Sequence, residues 1–295
     1  MTRQEGGGRS LNTVLMAALM LIIAVVLGFV LLLVVPRVSA MLRQSAVNRT
    51  KETVLQGVSS VEIYVDSMLR ALHYATGLLP PDTRQQDTDW QEQLAFLKSS
   101  RSDLASLSFF LEDGQLSYST DGALRVPPEE IRQAEWFRSA ARWEGTVSHF
   151  SLPHVQHLFE NQRRYVISIS RGVPYTQDGQ QKMGVLLMDV DYLAFSQVAN
   201  GISLGGSGYV YLMDAHGALV THPQLPLVYS GLYEENRAAV LAGTVGIARD
   251  DFRGRERTLI AATVGQTRWR LVGVAYADEI LTLQSAFVRT FTVVL

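Results

Sequence analysis

After a short glycine-rich tail the chain runs from Val14 to Val35 without a single charge. At a helical rise of about 1.5 Å per residue that run reaches roughly 33 Å, enough to cross a bilayer. A cleavable signal peptide is the competing reading, because Val38-Ser39-Ala40 has the small residues of a cleavage site. Signal peptides, however, usually carry an apolar core of only about 7 to 15 residues, so an uncleaved anchor is expected. Beyond it, Val54, Val58, Val61, Val65, Met68 and Leu72 recur at spacings of 4, 3, 4, 3 and 4, one face of a long helix. Such a seam suits either a folded domain or the same helix of a second copy, and its spacing does not separate the two. The helix should stop at Leu78-Leu79-Pro80-Pro81, since proline disfavours helical backbone in the residue before it.

From there the period becomes strand-like. ASLSFFLEDGQLSYST predicts a hairpin about Asp113-Gly114. PPEEIRQAEWFRSAAR predicts a helix, with prolines at its start, acids in its first turn and arginines toward its end. TVSHFSLP, RRYVISISRGVPY and MGVLLMDVDY predict three further strands, the last two joined at Gln177-Asp178-Gly179. Strands that follow one another through turns imply an antiparallel sheet. After GISLGGSG, read as a hinge rather than a phosphate-binding loop because no Lys-Ser/Thr follows it, the order returns. GYVYLMD and ALVTH flank a turn at His216-Gly217, then come a polar helical stretch and the strands VGIARDDF, RTLIAATV and RWRLVGVAY. Two halves with one order of elements point to a repeated α+β module. The chain closes on ILTLQSAFVRTFTVVL, which looks like the front of a second membrane span.

Composition narrows the chemistry. A formal net charge of -2 over 295 residues leaves no basic excess for nucleic acid. The absence of cysteine excludes disulfides, thiolate metal sites and a Cys nucleophile. No Gly-x-Ser-x-Gly elbow occurs either.

EWFRSA, MGVLLMDVDYLAF, GYVYLMDAHGALVTHP and TRWRLVGVAY, set between two apolar segments, make residues 37 to 283 resemble the double Cache extracytoplasmic sensor regions of bacterial chemoreceptors, histidine kinases and diguanylate cyclases. The resemblance implies an α+β fold in which a long N-terminal helix precedes two tandem PAS-like modules, each an antiparallel sheet with flanking helices. The corresponding boundaries are a cytoplasmic tail at 1–13, a transmembrane helix at 14–36 and a stalk helix at 37–80. A membrane-distal module at 81–200, a membrane-proximal module at 201–283 and the start of a second span at 284–295 complete them. The family also implies a plasma-membrane location with 37–283 outside the cytoplasm, a homodimer, a small ligand in the distal module, no cofactor, and an output domain after residue 295. Amino-acid-binding members carry an Arg-x-Trp-Tyr group, a Tyr-x-Asp pair and a later Asp. Here Trp136-Phe137 and Asp189 fall on that pattern, Ala134 stands at the arginine position, and Phe150 and Leu152 are read at Tyr-x-Asp. Arg132, one turn before Trp136, is a substitute donor for a carboxylate.

Several residues are therefore candidates for ligand contact. Asp189 offers an anchor for a ligand cation, and Asp189 with Asp191, two apart on a strand, share a face. Tyr118, Trp136, Phe137 and Phe150 would make an aromatic box suited to an amine, against the alternative that they are core. His149, with His154 and His157, reads either as a solvated loop or as a pH-responsive element, and no metal site is expected. A small amine, an amino-acid-like molecule or another small metabolite is the expected ligand. The competing class is a membrane-anchored hydrolase using Asp189 and Asp191.

Overall fold

The computed structural model describes residues 11–82, 89–142, 148–160, 163–242 and 247–276. The apolar terminal segment 284–295 lies outside them. Thr50–Ala275 form one compact unit, and the preceding helical segment belongs to another.

In that N-terminal segment, helix α1 (Leu11–Phe29) passes through a π-helical turn (Val30–Val34) into α2 (Val35–Leu78). The apolar run is thus divided among three helical elements. Among the described residues, no single helix is long and apolar enough to cross a membrane.

Within the compact unit, the periodic seam of α2 meets the domain itself. Val54, Val58, Val61, Val65, Met68 and Leu72 are all buried. Met68, Ala71, Leu72 and Ala75 join one core with Leu107, Phe109, Ile169, Leu186 and Met188 of the first sheet. Lower on the helix, Gly57 brings the backbone so near the second sheet that an added Cβ would lie 2.6 Å from Ile202 and 2.9 Å from Leu271.

The first sheet follows α3 (Asp89–Ser99). It holds β1 (Leu104–Phe110), β2 (Leu116–Ser119), β3 (His149–Phe150), β4 (His154–Gln156), β5 (Arg164–Gln177) and β6 (Gln180–Asp191). Its order is β2-β1-β6-β5-β3, with β4 also on β5. Asp178 and Gly179, at φ 55° and 77°, close the tight β5–β6 hairpin in left-handed backbone that suits Asp-Gly. The helix predicted from PPEEIRQAEWFRSAAR is two helices, α4 (Pro128–Gln133) and α5 (Glu135–Ala141), broken where Ala134 turns extended at ψ 138°. In one continuous helix Ile131 and Phe137 would point about 120° apart. The break lets both enter the same core, with Phe110, Val185 and Leu187.

Helix α6 (Tyr192–Asn200) then leads to the second sheet, built from β7 (Tyr209–Met213), β8 (Leu219–Thr221), β9 (Ile247–Phe252), β10 (Arg255–Val264) and β11 (Trp269–Tyr276). Helices α7 (Leu225–Tyr229) and α8 (Arg237–Ala242) cover it. Its order, β8-β7-β11-β10-β9, repeats that of the first sheet apart from β4, which has no counterpart, and this makes the sequence repeat a topological one.

Candidate functional site

The first sheet has two unlike faces. Along β1, Leu107 and Phe109 turn toward the stalk helix, which leaves Ser106 and Ser108 on the other side. Along β5, Ile169 faces the stalk and Ser168 and Ser170 do not. All four serines are buried. Alternating serines in two strands thus lay a polar stripe beneath α4 and α5, where Ser170 donates to the Trp136 carbonyl at 2.9 Å.

Asp189 sits in that stripe at 1% exposure. Its carboxylate accepts from Ser106 Oγ at 2.8 Å, from Gln156 Nε2 at 2.7 Å and from Ser168 Oγ. Every one of these partners is neutral, so the negative charge is solvated by hydrogen bonds but not cancelled by them. A narrow cavity of about 10 Å³ opens beside it, with Ser106, Asp121, Gln156, Arg164 and Val166 on its wall. His149 pairs with Ser170 across β3 and β5 and therefore shares this face. Its Nδ1 is buried with no hydrogen-bond partner. Burial holds the ring's pKa below the ordinary histidine value, with the Glu135 carboxylate opposing.

The structure divides the sequence-predicted group. Asp189 and His149 lie on the polar face, and Trp136 and Phe137 belong to the aromatic core over it, Trp136 packing 5.3 Å from Phe110. Tyr118 is on the opposite face, edge-on to Trp90 at 5.2 Å and bonded to the Gln91 carbonyl. Phe150 is also on that face, because it pairs with Ile169. The four aromatics therefore do not form one box. Arg132 is exposed and packs by the Gly114 turn of the β1–β2 hairpin rather than beside Asp189. Asp191, the other half of the proposed hydrolytic pair, caps α6 by accepting from Leu193 N at 2.8 Å and Ala194 N at 3.2 Å.

HFSLPHVQHLF is not a solvated loop. It supplies two short strands, and Leu158 and Phe159 are buried. His154, one of the three histidines of this stretch, and Gln156, which its pattern did not single out, stand beside the carboxylate cradle: His154 Nε2 lies 3.4 Å from Ser168 Oγ, and Gln156 is on Asp189. The spaced serines of ASLSFF and VISIS were the available signal for this face.

A Cache domain profile of the dCache type matches residues 38–283. The chain belongs to the Cache domain family. The methyl-accepting chemotaxis protein PscA of Pseudomonas syringae pv. tomato is 21% identical over 253 residues, which is 83% of this chain and 38% of that protein. The chain therefore spans well under half the length of that relative. Among solved structures, the ligand-binding domain of Campylobacter jejuni chemoreceptor Tlp3 with L-valine superposes at TM-score 0.64 and 14% identity, covering 83% of this chain and 98% of that one. The ligand-binding domain of the Pseudomonas aeruginosa amino-acid chemoreceptor PctB with L-Arg gives 0.58 and 18%, covering 79% and 94%. At these identities the likeness establishes the Cache fold, tandem modules on a long helix.

The second Cache module holds a different kind of site. His222 is buried, its Nδ1 accepts the Gln224 backbone N–H at 2.9 Å, and its Nε2 therefore carries the proton donated to Glu235 Oε1 at 3.0 Å. Tyr209 also donates to Glu235, at 2.5 Å, and burial followed by that carboxylate pushes the phenol far above its ordinary pKa. Arg257, 1% exposed, binds Asp250 through Nε at 2.9 Å and Nη2 at 2.6 Å, and reaches Glu235 at 3.4 Å. Burial works against its charge, but the Asp250 and Glu235 carboxylates outweigh it and raise its pKa.

Proposed function

We propose that this chain is the sensor region of a membrane-bound signalling receptor. In this reading residues 81–200 bind a small amine-bearing metabolite, and residues 37–80 and 201–283 relay the bound state. The observation that carries it is the Asp189 carboxylate, 1% exposed, whose hydrogen-bond partners are all neutral. Arg164 shares the small cavity beside Asp189 but gives its Nη1 to the Ala105 carbonyl, so a ligand ammonium would be the cation in direct contact with the carboxylate, and the buried unpaired Nδ1 of His149 lies on the same sheet face to meet a second polar group. Trp136, over that face, would close the site.

The solved relatives named above were crystallised with amino acids, which supports a small nitrogenous ligand. By the family resemblance Ala134 stands at the arginine position of amino-acid-binding members, and Arg132 is at the surface. An α-carboxylate is therefore poorly served, and an amine without one is the better fit. The proposal includes anchoring through the uncharged run Val14–Val35, with residues 37–283 outside the cytoplasm. It also includes a homodimer and an output module that reads a ligand-dependent shift along the helix. Energy for that shift is the difference in the ligand's affinity for two arrangements, and no bond is broken.

The test is thermal stabilisation of the detergent-solubilised chain by a panel of primary amines, amino acids and their N-acetylated forms. At about a hundred times Kd a specific ligand adds about 2.7 kcal/mol. Stabilisation by free amines, absent with N-acetylated forms and strongly reduced by Asp189→Asn, is the expected result. Equal stabilisation of Asp189→Asn, or none by any amine, would reject the proposal.

A further inference from the structure

The strand that the first sheet has and the second lacks is β4, which pairs with β5 through His154 with Val166, Val155 with Tyr165 and Gln156 with Arg164. Alternation along it turns Val155 outward, at 51% exposure, and puts His154 and Gln156 on the inner face. Both act on Asp189. Gln156 Oε1 accepts the backbone N–H groups of His157 at 3.1 Å and Leu158 at 3.3 Å, which leaves its amide nitrogen aimed at the carboxylate. His154 reaches the same carboxylate through Ser168.

Hydrogen bonds fix where the protons of this ring sit. Nδ1 lies 3.0 Å from the Leu152 carbonyl oxygen, which can only accept, so Nδ1 carries a proton. Ser151 Oγ, 3.3 Å from the same nitrogen, accepts the Ser168 backbone N–H at 2.8 Å and gives its own proton to the Leu152 carbonyl. Nε2 faces Ser168 Oγ at 3.4 Å, and the single hydroxyl proton of Ser168 is donated to Asp189 Oδ1. A neutral ring therefore sets a bare nitrogen against a hydroxyl oxygen with no proton left to give. A second proton on the ring completes a chain from Nε2 through Ser168 to Asp189, with opposite charges at its two ends.

The other ionisable groups about this face are placed differently. Asp121 and Arg164 stand on the wall of the small cavity beside Asp189, and Arg164 gives its Nη1 to the Ala105 carbonyl at 2.6 Å. Asp191 caps α6, and His157 turns its Nδ1 toward the Val155 carbonyl. From β3 and α5 come His149 and the Glu135 carboxylate that acts on it. Among the described residues, none of these hydrogen-bonds the His154 ring.

We infer, on the amine reading of Asp189 given above, that His154 is a positioning residue of that site. Through Ser168 it orients the carboxylate, and its own charge sets how much of the carboxylate's charge is left for a ligand ammonium. An imidazolium two hydrogen bonds from Asp189 repels the incoming cation. Amine binding therefore expels the second proton of the ring and tightens as pH rises.

Calorimetry of propylamine and 1,4-diaminobutane on the solubilised full chain, at about pH 8 and about pH 5.5 on either side of the usual histidine titration, tests this role. Charges about 4–6 Å apart shift a protonation equilibrium by about tenfold or more, so binding should be about five- to tenfold weaker at the lower pH. Runs near neutrality in buffers of different ionisation enthalpy should show proton release on binding. His154→Gln should remove both the pH ratio and the proton release, whereas His149→Gln should leave most of the ratio. If His154→Gln fails to fold, histidine nitrogen spectra still decide: the His154 ring should gain its second proton at lower pH in Asp189→Asn than in the parent. Absence of amine binding at both pH values would remove the amine reading of Asp189 and this role with it. Binding of equal strength at the two pH values, a ratio that survives His154→Gln, or a ring indifferent to Asp189→Asn would overturn the role and leave that reading standing.

Discussion

The Phe150 ring meets Trp269 edge-on at 5.5 Å, so a short strand of the first sheet touches the opening residue of the last strand of the second. Phe195 of the linking helix α6 meets the same indole at 5.5 Å, and Tyr64 of the stalk helix meets Phe195 at 5.5 Å. Four rings from four elements thus form one bracket between the modules. Trp269→Ala should cost about 3–5 kcal/mol by loss of buried aromatic surface. Calorimetry should then show the unit melting in two transitions where the parent melts in one. A single transition at nearly the parental temperature would show that the bracket does not couple the modules.

Asp191 offers a contrast to Asp189. Its Oδ1 accepts from two backbone N–H groups at the start of α6. Asp191→Ala should therefore cost about 1 kcal/mol of stability, the usual worth of an N-cap, and leave amine-dependent stabilisation intact. Loss of ligand response without loss of stability would return Asp191 to the binding site.

How much of this was legible in the chain differs by feature. The stalk seam was readable because one period runs through Val54 to Leu72, yet its partner was not, since a sheet and a second helix accept the same spacing. The fate of Phe150 was hidden for a related reason. Its face is set by pairing with Ile169, a long-range register that no local pattern encodes. The break at Ala134 was masked by good caps and charges at both ends of the stretch. By contrast, the alternation of Ser106, Ser108, Ser168 and Ser170 was in plain view, and buried serines on two strands are a polar-site signal. The second sheet's cluster was the least visible, because His222 and Glu235 lie well before the Asp250–Arg257 hairpin pair in sequence and join it only through the β9–β10 pairing and the loop before α8.

Two acid-sensitive limbs should separate by pH. His149 has its folded pKa below the ordinary value through burial, so its contribution is complete above the unfolded pKa of about 6.5 and is lost as pH falls through the folded value. Asp103 also titrates low. Burial works against its charge, but the Arg101 hydrogen bonds and charge, with the Tyr64 hydroxyl, outweigh it. Its contribution is complete above about pH 4 and is lost as pH falls further. His149→Gln should flatten the thermal-melting profile just below about pH 6.5, and Asp103→Asn should flatten only the limb below about pH 4. A profile unchanged by either substitution would rule out these groups as its cause.

Gly273 sits where the stalk helix crosses β11. A Cβ there would overlap Val54 Cγ2 and lie 2.8 Å from Leu204 Cδ1, both belonging to buried side chains with little room to withdraw. Overpacking of this kind costs about 1–3 kcal/mol. Gly273→Ala should therefore lower the melting temperature, and Val54→Ala should lower it separately by leaving a small void. Combined, the two should be less damaging than their sum by about 1 kcal/mol or more, because removing Cγ2 makes room for the new methyl. The same crossing would carry any displacement of the stalk into the second sheet, so Gly273→Ala should also blunt ligand-dependent change at the helix, read by a spin label on exposed Ile63. Additive stability effects would mean that the stalk gives way at this point instead of pressing on the strand.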